Sequence, residues 1–137
     1  MSSLTLTIAS PERVLFEGAI QQTTLPTKMG QITILPNHIP LVAALTAGEL
    51  SFVNDKNETI FLAVSGGAVE ISDNHITILS DTAERSDEID ELRAQEAKQR
   101  AESLLKEQKT DTVEYASIVS KLEKELARIS VVRRRRR

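Results

Sequence analysis

At 137 residues the chain has the size of one ordinary domain, and its 40% apolar and 27% charged residues give the balance of a globular protein rather than a disordered one. It has no cysteine, which excludes disulfides, thiolate zinc sites and redox chemistry at sulfur. The formal net charge of -3 conceals an uneven chain: up to Ser80 there are seven acids and three bases, whereas Asp81 to Arg137 holds thirteen acids and fourteen bases, so two kinds of structure are expected to meet near residue 81.

The opening "MSSLTLTIAS" places Leu4, Leu6 and Ile8 in alternation with threonines, the pattern of a half-buried strand and not of a signal-peptide core. Pro11 ends that run. Further strands are predicted at Val14 to Phe16 and in "QITIL", "ELSFV", "TIFLAV", "AVEIS" and "HITIL", with turns at "LPTKMG", "NDKN", "SGG" and "SDN". Threonine, valine and isoleucine dominate these runs, and their branched Cβ favours the pleated surface. Many short strands at this spacing predict an antiparallel sandwich or flattened barrel ending near Leu79.

Within this part His38 sits between two prolines in "LPNHIPL", where it could serve as an acid or a ligand, or bond to backbone around an irregular crossing. His75 opens a strand after a turn. "SGGAVE" lacks the strand-to-helix setting and the following lysine of a phosphate loop, so it predicts a bulge or tight turn. With two histidines, and without an HExxH, GxSxG or P-loop pattern, no catalytic residue and no metal site is expected. No apolar run approaches the ~20 residues that span a bilayer, so any membrane role is expected to be peripheral.

From Ile89 to Leu105 there is neither glycine nor proline, and alanine, glutamate, arginine, glutamine and leucine prevail, which predicts a helix. Ser86 or Asp87 is the expected cap, with acids through Glu91 at the positive end of the helix dipole. Residues at 100° intervals place Ala94, Ala97, Ala101, Leu104 and Leu105 on one small-residue stripe. "KEQKTDT" interrupts the pattern, with Thr110 or Asp111 as a second cap. Val119, Leu122, Leu126 and Ile129 then follow a spacing that predicts the seam of a second helix. The expected fold class is therefore α+β, an antiparallel β-sandwich over residues 1–84 followed by a two-helix antiparallel hairpin over residues 85–137.

"LPTKMGQITILPNHIPLVAALTAGEL" and "VSGGAVEISDNHITILSDTAE" together resemble the signature of the epsilon subunit of bacterial F-type ATP synthase, and the likeness extends over nearly the whole chain. The ordered set Gly30, Leu35, Pro36, Asn37, His38, Pro40, Gly48, Gly66 and Gly67 carries it. The resemblance implies a non-catalytic subunit of the central stalk, on the cytoplasmic face of the bacterial membrane. Its sandwich would bind the gamma subunit and touch the ring of c subunits. Its hairpin would permit turnover when folded down and obstruct ATP hydrolysis when extended among the alpha and beta subunits.

"IDELRA" resembles the motif with which some epsilon subunits bind ATP, here Ile89, Asp90, Arg93 and Ala94. Asp90, Arg93, Ala97 and Arg100 fall within about 80° on a helical plot, so one face offers an acid and two guanidinium groups, whose forks match phosphate oxygens. By the resemblance Glu84, Arg100 and a basic pair on the second helix, Lys124 and Arg128, complete the set. Lysine at 124 keeps the charge of the arginine found in motif-bearing relatives but not its fork. ATP, with or without Mg²⁺, would then be a regulatory ligand and not an obligatory cofactor. The alternative is that Asp90 caps the helix and the arginines make surface ion pairs, each worth ~0–1 kcal/mol.

Five arginines close the chain. Without interleaved aromatics they argue against nucleic acid as a partner. The resemblance implies instead that Lys121, Lys124, Arg128, Arg133 and Arg134 meet an acidic segment of the catalytic head. A free-standing nucleotide sensor without a rotary partner is the second reading, and a polyanion-binding protein the third.

Overall fold

The computed structural model describes residues 4–107 and 112–135, the last of these by its backbone alone. Seven strands come first: β1 (Leu4–Ala9), β2 (Val14–Thr27), β3 (Gly30–Ile34), β4 (Leu41–Asn54), β5 (Thr59–Ser72), β6 (His75–Ser80) and β7 (Ala83–Arg85). Their order is β1-β6-β5-β4-β2-β3, and β1 also pairs with β2, so the sheet closes on itself around one core. All pairs are antiparallel except β1 with β6. Leu4, Leu6 and Ile8, the alternating residues of the opening run, are fully buried there with Leu25, Ile34, Leu50, Phe52 and Ile76.

Three strands are longer than their apolar runs. β2 continues through "TTLPT" because its side chains alternate between core and surface, with Thr23 donating from its hydroxyl to the Ser51 carbonyl at 2.8 Å. Pro26 is tolerated where the register with β4 slips between Thr24 and Thr27. The turn is confined to Lys28 and Met29, and Thr27 closes it by donating to the Gly30 carbonyl at 2.5 Å. β5 runs unbroken through the expected turn at "SGG": Ser65 faces Ala47 and Gly67 faces Leu45 in one register. A Cβ on Gly67, whose φ is 123°, would lie 2.0 Å from the Leu79 carbonyl oxygen, so these glycines admit the close approach of β6 rather than reverse the chain.

Two helices follow a short 3-10 turn at Ser86–Glu88: α1 (Glu91–Glu107) and α2 (Val113–Arg135). The cap of α1 is neither Ser86 nor Asp87. Those residues belong to the 3-10 turn, and Asp90 caps instead, its Oδ1 accepting from the Arg93 amide at 3.2 Å. Thr112 caps α2 through the Tyr115 amide at 3.1 Å, while the expected caps Thr110 and Asp111 lie outside the described residues. α2 packs on β4 and β5, and α1 packs on α2.

The helical stripes are partly as expected. Ala94 and Ala101 are buried on α1, but Leu104 is 47% exposed. On α2 the covered residues are Ile118, Ala127, Ile129, Val131 and Val132, while Leu126 is 44% exposed. A helix covered by α1 on one side and the sheet on another buries two stripes, so a single seam through Leu126 does not describe it. Ala127 and Val131 close on Ala63 of β5, with Phe61 and Ile89 packed around them. The expected α+β architecture, a β-sandwich or barrel followed by two helices, is the observed one.

Candidate functional site

Where β7 leads into the hairpin, charged side chains join the two parts of the fold. Glu84 on β7 lies beneath α2, and its Oε1 is 3.2 Å from Nε of Arg128. Arg128 also donates from Nη1 to Glu125, one turn earlier on the same helix, at 2.8 Å. The Arg128 side chain is 18% exposed and that of Glu125 12%. Although Nε is close to Glu84, its N–H is not directed at the oxygen, and this buried donor makes no hydrogen bond. Arg13, in the β1–β2 turn, pairs with Glu88 of the 3-10 turn. The hydrogen bond and charge of Glu88 hold the Arg13 guanidinium pKa above its ordinary value.

Of the expected nucleotide-binding residues, Glu84 and Arg128 are brought together. Asp90 both caps α1 and pairs with Arg93, whose Nε is 3.7 Å away and whose side chain is 83% exposed. Ile89 packs against the apolar contact with Ala63, Ala127 and Val131, and Ala94 is fully buried. Lys124 is half-buried. Arg100 is exposed and lines a shallow cleft of about 570 Å³ with Glu96, Gln99, Ser103 and Leu104. Arg93 and Arg100 on α1 and Lys124 and Arg128 on α2 thus lie on two packed helices, with Arg128 opposed by two carboxylates.

The far end of α2 is anchored separately. Arg134 reaches Glu49 of β4 at 2.9 Å, and the Ser130 hydroxyl donates to the same carboxylate. Arg133 lies 3.4 Å from Glu91 at the start of α1. Glu49, Ser130, Arg133 and Arg134 border a cleft of about 600 Å³, with Lys98 and Glu102 among its lining residues. Arg133 and Arg134 are therefore engaged within the fold, whereas Lys121 is exposed. Arg136 and Arg137 lie outside the described residues.

Sequence reasoning did not find Glu49 or Glu125. Their only signal is position, Glu49 in the strand run "AGELSF" and Glu125 three residues before Arg128. Elsewhere, Nδ1 of His38 donates to the Ile39 carbonyl at 2.6 Å, the backbone role open to it from sequence. Among the described residues no group of His, Asp or Glu is arranged to hold a metal ion. No helix among them is long and apolar enough to cross a membrane.

Comparison with known proteins matches both parts of the chain. Residues 3–86 match the family model of the ATP synthase delta/epsilon chain β-sandwich domain, and residues 87–133 that of its long α-helix domain. The ATP synthase epsilon chain of Alkalilimnicola ehrlichii is 36% identical over 137 residues, covering 100% of this chain and 97% of the relative. That of Halorhodospira halophila is 39% identical over 130 residues, 94% of this chain and 92% of the relative. In a cryo-EM structure of the Euglena gracilis mitochondrial ATP synthase, comprising OSCP, F1 and the c-ring, a chain at 19% identity has the same fold, with a TM-score of 0.81 over 100% of this chain and 83% of its own length.

Proposed function

The chain belongs to the ATP synthase delta/epsilon chain family, and on that premise we propose that it is the epsilon subunit in the central stalk of an F-type ATP synthase. One observation carries this: both family domains match in order, and a relative named ATP synthase epsilon chain aligns over almost its whole length. The subunit is non-catalytic. It works by holding its neighbours in register and by changing shape.

In this reading the sandwich, residues 1–84, binds the gamma subunit and touches the ring of c subunits at the cytoplasmic face of the bacterial membrane. It belongs to the machinery that couples proton flow to ATP synthesis. A closed sheet with one continuous core suits a part that must carry torque without deforming. The hairpin, residues 85–137, is the regulatory part. Its apolar contact with the sandwich is small, centred on Ala63, Ala127 and Val131, and is joined by the Arg128–Glu84 and Arg134–Glu49 ion pairs and the Ser130–Glu49 hydrogen bond. Docked and released forms of such an element differ by about a few kcal/mol.

Release would free Arg128, Arg133 and Arg134 from their partners on the sandwich and on α1. Together with Lys121 and Lys124 they would then face the alpha and beta subunits and obstruct ATP hydrolysis. ATP, with or without Mg²⁺, binding through Asp90, Arg93, Arg100, Lys124 and Arg128 beside Glu84, Ile89 and Ala94, favours the docked form. Guanidinium and ammonium groups gathered on two helices gain a counter-anion only while the helices stay together.

ATP hydrolysis by a gamma-containing catalytic complex lacking this chain provides the test. Adding the full chain should slow hydrolysis at low ATP, with recovery as ATP rises. A chain ending at Asp87 should bind without slowing it. Equal rates with the full and shortened chains at every ATP concentration would refute the regulatory part of the proposal.

A further inference from the structure

We propose that Glu125 is a built-in competitor for phosphate at Arg128 and sets how tightly this hairpin holds a nucleotide. The inference rests on the reading of the hairpin as an ATP-binding element and concerns the regulation of that site.

A guanidinium receives an oxyanion as a fork along one of two edges, the side edge that includes Nε or the end edge that includes Nη1. On Arg128 the end edge is taken, because Glu125 accepts from Nη1 at 2.8 Å, while Glu84 stands 3.2 Å from Nε without accepting its N–H. A phosphate taking the end edge of Arg128 must displace Glu125, and one at the side edge meets the charge of Glu84. At 12% exposure the Glu125 side chain has little water around it to screen its charge or to receive it once displaced. One cation shared by two carboxylates leaves a net negative cluster facing an incoming polyphosphate.

The two acids differ in what they travel with. Glu84 belongs to β7 and meets Arg128 only while the hairpin is docked. Glu125 is three residues from Arg128 on one helix and stays beside it in either form. Glu84 thus rewards docking in the absence of a ligand, whereas Glu125 taxes phosphate binding in both states. The hairpin can therefore dock without nucleotide, and its response to nucleotide is shifted to high concentration.

Glu125→Gln tests this directly, because the amide keeps the size and an acceptor oxygen for Nη1 while removing the charge. Titration calorimetry of the full chain with ATP and Mg²⁺ should show binding at least about tenfold tighter than the parent, the scale of one like-charge contact at a partly covered site. Glu123→Gln removes the same charge from an exposed neighbour and should change affinity by less than about twofold. Glu125→Asp, with its carboxylate drawn back by one methylene, should tighten binding in the same direction, which provides a second variant if the glutamine chain folds poorly. Melting without nucleotide verifies folding in each case. Parent binding that Glu125→Gln leaves unchanged or weakens would overturn the competitor role while leaving nucleotide binding intact. An equal gain from Glu123→Gln would also overturn it, since diffuse charge would then be the cause. No heat from either the parent or Glu125→Gln at millimolar ATP would overturn both this inference and the nucleotide-binding reading.

Discussion

Replacing Val131 with alanine should release the hairpin while leaving the sandwich intact. Val131 is fully buried and packs with Ala127 against Ala63 of β5, beside Phe61 and Ile89. Truncation removes two methyl groups, ~0.8 kcal/mol each for lost burial, and the residual cavity brings the cost to about 2–3 kcal/mol. Because the contact joins α2 to the sheet, that cost falls on docking. At 1.4 kcal/mol per tenfold, the released population rises by a factor of about 30 to 140. Hydrogen exchange reads it out: amides from Ile118 to Val132 should exchange faster by that factor, while those of β1 and β6 keep their protection. Leu126→Ala is the control, since a residue 44% exposed should cost less than about 0.5 kcal/mol. Equal acceleration in sandwich and hairpin would refute the reasoning by showing one cooperative unit, and a larger effect from Leu126 than from Val131 would refute the assigned seam.

Two further substitutions probe the parts on either side. Gly67→Ala places a Cβ at a φ of 123° and 2.0 Å from the Leu79 carbonyl oxygen, so β6 must move away from β5; urea unfolding should show a loss of at least about 3 kcal/mol, and a loss below about 1 kcal/mol would contradict the close approach. Asp90→Ala removes the cap of α1 and should cost about 1 kcal/mol, seen as faster exchange of first-turn amides such as Arg93 without change in α2. Uniform exchange across both helices would show that the cap acts on docking and not on α1 alone.

How far the sequence revealed this molecule depends on the kind of signal. Alternation in "LTLTIA" located β1 because period-two burial is written directly into residue order. The same logic stopped short in β2 and β5: proline and paired glycines read locally as turns, and only the neighbouring strands make Pro26 a residue beside a register slip and Gly67 a point of close approach. The hairpin was legible from composition, but not its seam, because α2 answers both to α1 and to the sheet. Among the candidate site residues, Glu84 and Arg128 lie 3.2 Å apart, a pairing that no local pattern in the sequence announces. Glu125 and Glu49 escaped notice because an acid in a helix or strand has no periodic mark that shows which arginine it meets.

The most direct test of the stalk assignment is equilibrium binding of the full chain to an isolated gamma subunit, measured with and without ATP. If the sandwich is the attachment, binding should be tight in both conditions and should survive removal of the residues after Asp87. A chain that binds ATP yet shows no association with gamma in either condition would contradict the assignment.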